Sequence, residues 1–256
     1  MSHELTLSQR IEMGELARRH NAAGSVGLQV LNLIGGQAEN LLERLPDPVK
    51  DRLESATLSA LIVSLRAADA SRQVVRDQKS WLNTAFAAAM GAAGGAGGLP
   101  TALAELPVTT TVLMRAILGV AQEYGFDPSL PETRKEALQV FSAAGPLSED
   151  DGVDMGFLSA RVTLTGASIN AMAARIAPGL SLVLGQKLAT QAVPVIGAAA
   201  GAATNYAYTS YYQQMAHVHF GLLAIARDGD ADLDDLTRSL KIEIMRQKAD
   251  AKIRRY

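Results

Sequence analysis

The chain has 256 residues, 24 basic and 26 acidic side chains and a net charge of −2, so it offers no broad cationic surface for nucleic acid. It contains no cysteine, which excludes disulfides, thiolate metal sites and cysteine nucleophiles, and fits a reducing compartment. Aromatic residues are only 5% of the chain, so the core depends on close backbone approach more than on large side chains.

The length allows one large domain or two small ones. The opening MSHELTLSQR lacks the basic start and apolar run of a secretory signal, and a cytoplasmic protein is the expectation. Residues 5–19 read as an amphipathic helix, with Ile11 and Leu16 on one side and Glu12, Glu15, Arg18 and Arg19 on the other. Asn21 to Gly24 separates it from a more apolar helix reaching Leu45, interrupted at Gly35 and Gly36. Pro46-Asp47-Pro48 stops that helix and starts the next, since Asp47 can cap and Pro48 suits the first turn. Residues 49–66 form the next helix, with Leu53, Ala56, Ala60 and Val63 on its inner face; residues 66–79 either continue it or form a connector.

From Ser80 to Ala104 there is no charged residue. The strongly apolar residues there are few, so their summed insertion energy is only about −2 kcal/mol, opposed by Asn83, five glycines and Pro100. A stable span does not follow. Gly91 with Gly95, and Gly94 with Gly98, recur at four-residue spacing, which lets another backbone approach one helical face closely. The alternative is a hinge at the glycine pairs. Pro107 then opens a helix whose only charge up to Ala121 is Arg115. A buried guanidinium needs a partner: a carboxylate such as Glu105, or a phosphate, which its geometry matches. Thr109, Thr110 and Thr111 fall in the first turn of that helix, as caps or as companions of Arg115 around an anion.

Gly125-Phe126-Asp127-Pro128 closes this helix. A short helix follows over residues 131–141, ended by Gly145-Pro146, and Glu149 to Asp154 form an acidic loop or helix start. Residues 155–177 and 180–193 are two helices punctuated by Pro178-Gly179. Pro194 opens a second uncharged segment, in which Gly197 and Gly201 repeat the four-residue spacing, and the helix runs to Arg227. The last helix covers residues 232–255, acidic at its start and basic at its end, as the macrodipole favours. No alternating strand pattern occurs. The expectation is an all-α, multi-helix globular bundle with two Gly/Ala-rich, close-packed segments, eight to ten helices in all. Residues 1–45 form an N-terminal region, 46–227 the core and 228–256 a charged C-terminal helix of one continuous domain.

His217 and His219 are two residues apart, so they point about 200° from each other and cannot share one metal from the same helix. Tyr206, Tyr208, Tyr211 and Tyr212 suit either a membrane interface or a core with one wet edge. The run Asp228 to Asp234 fails the calcium-loop pattern, having Leu233 and Ser239 where glycine and glutamate are required. No nucleophile elbow, P-loop or dinucleotide fingerprint occurs. No cofactor and no metal are expected.

The segments GGLPTALAELPVTTTVLMRAILGVAQEYGFD and VPVIGAAAGAATN, in that order, resemble the EcsC protein family over roughly residues 41–227. The chain is similar, less closely, to a domain of unknown function attached to bacterial GTPases that shares a paired glycine-rich plan and membrane association. The resemblance implies a bacterial, all-helical protein of unsettled function, whose namesake is encoded beside an ABC transporter, and supplies no agreed catalytic set. MAHVHFGLL departs from the family, in which an arginine tends to follow the HF pair.

The expected function is a membrane-associated protein that binds lipid or a membrane partner, accessory to an ABC transporter, and peripheral at the inner face of the cell membrane. Its ligand candidates are Glu105, Thr111, Arg115, Asn205 and His217. Two alternatives stand beside it. One is a hydrolase of apolar or lipid substrates, with Glu105, Arg115, Asn205 and a histidine around an internal cavity. The other is a soluble module that dimerises through its glycine faces.

Overall fold

The computed structural model describes residues 5–33, 41–74, 99–147, 168–191 and 197–253. Among them are seven α-helices: α1 (Leu7–Leu33), α2 (Asp47–Val74), α3 (Leu99–Glu123), α4 (Pro131–Val140), α5 (Ile169–Gln191), α6 (Gly197–Gly229) and α7 (Leu233–Ile253), with a 3-10 turn (Leu42–Arg44) before α2. No strand occurs among the described residues. The protein is all-α.

α6 is the axis. Its 33 residues span about 50 Å, and from Thr204 to Ile225 almost every side chain is buried, the mark of a helix surrounded by others. α5 runs antiparallel to it: the Tyr208 hydroxyl donates to the Val183 carbonyl across 2.9 Å, and Thr204 meets Thr190 at 3.2 Å. α1 is antiparallel to α6 on another side, with Leu16 against Gly221 and Arg19 donating to Gln214 at 3.1 Å. α3 runs parallel to α6, because Thr109 meets Lys187 of α5 at one end and Tyr124 meets His217 of α6 at the other. α2 packs on α3, where the Thr110 hydroxyl reaches the Ala60 carbonyl at 3.3 Å. The short α4 is held by Phe141 against Tyr212, ring centroids 5.2 Å apart. α7 lies across α1, with Gln247 donating to the Gly14 carbonyl at 3.0 Å.

Several boundaries differ from the sequence reading. α1 does not break at Asn21 to Gly24. Ala23 is buried and the Asn21 amide donates to the Ile244 carbonyl, and such packing outweighs the roughly 1 kcal/mol that one helical glycine costs. Ile11, expected on the inner side with Leu16, is 67% exposed; five residues turn a helix about 140° away. Val63 is likewise exposed, while Thr57 and Ser64 are buried with Leu53 and Ala60. The charged stretch after Arg66 continues α2 to Val74.

Prolines expected at boundaries lie inside helices. α3 begins at Leu99, so Pro107 and the three threonines are interior. Pro178 lies within α5, where both it and Ala174, whose carbonyl it leaves without a donor, are exposed to water. The stops at Gly125 and Asp232 are as read. Gly125 has φ 78° and the Phe126 amide reaches back to the Ala121 carbonyl, while the Asp232 carboxylate caps the Asp235 amide at 3.0 Å. Gly35, Gly36, Gly91, Gly94, Gly95, Gly98, the acidic run 149–154 and the start of the helix expected from Met155 lie outside the described residues.

Candidate functional site

Between Arg175 and Arg227 the chain carries a single Lys, Arg, Asp or Glu side chain, Lys187. α5 turns it inward among Leu184, Leu188 and Ala189, and it is 1% exposed. Its Nζ donates to Thr109 Oγ1 of α3 at 3.4 Å. Burial pushes its pKa down to about 8, and the charge of Glu105, one turn before Thr109, opposes that shift. No carboxylate comes within ion-pair distance of Lys187 among the described residues. Among the described residues the ammonium is therefore buried with one long hydrogen bond and no counter-charge in contact.

Around it lies a layer of threonines. Thr190 Oγ1 donates to the Lys187 carbonyl at 2.7 Å, so its single hydrogen is used and Thr204 is the donor in their 3.2 Å contact. Thr109, Thr190 and Thr204 thus come from three helices, with Asn205, also buried, beside the last. The helix directions derived above put the start of α3, the end of α5 and the start of α6 at this same end. Its outer surface carries Val108, Leu182 and Tyr206, 43%, 56% and 48% exposed.

The structure divides the sequence-selected residues. Glu105 and Asn205 lie in the Lys187 layer. Thr111 does not face an anion: its hydroxyl donates to the Pro107 carbonyl at 2.6 Å, and Thr110 does the same to Leu106 at 2.7 Å. Arg115 is half-buried ten residues after Glu105, about 15 Å along α3 and about 280° around it. It makes no ion pair or hydrogen bond among the described residues, so the expected pairing with Glu105 is not formed. His217 is twelve residues beyond Asn205, about 18 Å down α6. The four residues of the hydrolase reading do not share one site. Gly197 opens α6 and Gly201 lies in its second turn.

A second polar cluster surrounds His217, which is 8% exposed and edge-on to Tyr124 at 5.8 Å. Burial, aided by the Arg19 charge, pushes its pKa down to about 4, so the ring is neutral. Its Nδ1 has no hydrogen-bond partner among the described residues. His219 points elsewhere, its Nε2 2.8 Å from Glu136 Oε2 of α4. The two histidines diverge as their spacing requires.

Sequence reading missed Lys187, although a lone charge in fifty uncharged residues was a visible signal. Its importance comes from the inward turn of α5. Among the described residues no group of three side chains could hold a metal ion, and no helix is long and apolar enough to cross a membrane.

Against known proteins, the model of the EcsC protein family matches residues 42–222, from the turn before α2 into the last third of α6. No curated protein and no solved structure matches significantly.

Proposed function

The chain belongs to the EcsC protein family, and on that premise we propose that it is a helical protein that associates peripherally with a membrane, binding lipid or a membrane partner. The observation that carries this reading is the joining of α3, the last turns of α5 and the first turns of α6 through Lys187, Thr109, Thr190 and Thr204. The uncharged stretch 80–104 includes the first turns of α3, and the uncharged stretch 188–226 includes the end of α5 and most of α6. Val108, Leu182 and Tyr206, one on each of these helices, are exposed apolar side chains, the last of a type favoured at membrane interfaces. This reading puts its action at the inner face of the cell membrane, in a role accessory to an ABC transporter, as the resemblance to the family's namesake suggests.

Flotation through a density gradient tests the reading. Mixed with vesicles of phosphatidylcholine alone or with added phosphatidylglycerol, the protein is expected to rise with at least one. Remaining at the bottom with both overturns the proposal.

A further inference from the structure

We propose that Lys187 is the anion-recognising group of this end, and that it receives the phosphate of a lipid head group between α3 and α5. This rests on the membrane reading above and gives it a ligand class. Three observations on the structure support it.

An ammonium has three donors, and among the described residues one is used, on Thr109 at 3.4 Å. Among the described residues no carboxylate is within ion-pair distance, and Glu105 acts on it only from further off. A buried charge in that condition is costly unless an anion completes it. A phosphate offers several acceptor oxygens to the free donors, and the Thr109 hydroxyl stands beside them. Finally, the three helices of this layer each carry an exposed apolar side chain, Val108, Leu182 and Tyr206. A charge within and apolar side chains without match an amphiphile, with its head at Lys187 and its tails along the exposed surface. A small inorganic anion would use only the first half of that arrangement.

The experiment compares the ratio of binding to vesicles containing phosphatidylglycerol against phosphatidylcholine alone, for wild type, Lys187→Met, Lys187→Arg, Thr109→Val and the surface control Lys241→Met. Wild type is expected to favour the anionic vesicles. Lys187→Met should lose that preference by about fivefold or more, the effect of one lysine at an anionic surface. Thr109→Val should weaken it, and Lys187→Arg and Lys241→Met should keep it.

An undiminished preference in folded Lys187→Met and Thr109→Val overturns the proposal. Equal binding of wild type to both vesicles also overturns it, while leaving membrane association intact; binding to neither removes the earlier reading itself. Inorganic phosphate titrated into the wild type, followed by the Lys187 Nζ resonance, separates the two sources of phosphate. No saturation supports a lipid head, and tight saturation without vesicle preference assigns the group to free phosphate and overturns the lipid form.

Discussion

The Tyr208 hydroxyl of α6 donates to the Val183 carbonyl of α5 across 2.9 Å, with both residues buried. This contact fixes the register of the two antiparallel helices and hence the depth at which Lys187 meets Thr109. Burial also pushes the phenol well above its ordinary pKa, so it stays a neutral donor. Tyr208→Phe keeps the packing and removes the bond. It should cost about 1 kcal/mol in urea denaturation with an unchanged slope. A loss below a few tenths would show that the bond does not hold the register.

Val183 is also packed from its other side. Gly145 has φ 87°, and a Cβ there would lie 2.5 Å from Val183 Cγ1, whereas Gly125, with φ 78°, has nothing nearer than 3.7 Å. Both alanine variants bear the left-handed penalty of about 1–2 kcal/mol. Gly145→Ala adds overpacking of about 1–3 kcal/mol. Paired melting curves should therefore rank Gly145→Ala well below Gly125→Ala, and equal losses would contradict the contact.

His217 makes stability depend on pH in a defined window. Its folded pKa, about 4, lies below the ordinary 6.5, so the unfolded chain binds the proton more readily. Stability is complete above pH 6.5, falls as pH drops toward 4, and levels beyond that. The loss across the window should be about 3 kcal/mol. Denaturation at pH 7 and 4.5 for wild type and His217→Gln checks it: the variant should show a shallower fall. The His217 ring resonance should not titrate above pH 5.

Lys187 acts in the same sense at higher pH. Its folded pKa of about 8 lies below the ordinary 10.5. Stability from this group is present above pH 10.5, declines as pH falls, and is fully lost below 8. Lys187→Met should thus be more stable than wild type at pH 7 by about 3 kcal/mol. That advantage should shrink between pH 8 and 10.5 in matched denaturation curves. A variant that is less stable at pH 7 would mean that the ammonium is neutralised in the fold.

The sequence by itself determined the all-helical class, the family, and the helix ends at Gly125, Pro131 and Asp232. Those signals are local: a glycine at positive φ, a proline in a first turn, a carboxylate over free amides. It did not determine that α1 runs through Asn21 to Gly24 or that α3 and α5 run through Pro107 and Pro178, because a break signal yields where neighbours pack or water reaches the freed carbonyl. Tertiary structure alone decided the site. In α5 and α6 nearly every face is apolar, so periodicity marks no inner side, and whether Lys187 faces water or the core depends on which helices lie against it. Glu105 and Asn205 were legible as polar residues in apolar helices. Their placement at the level of Lys187, and the separation of Arg115 and His217 from them, follow from the antiparallel pairing of α5 with α3 and α6.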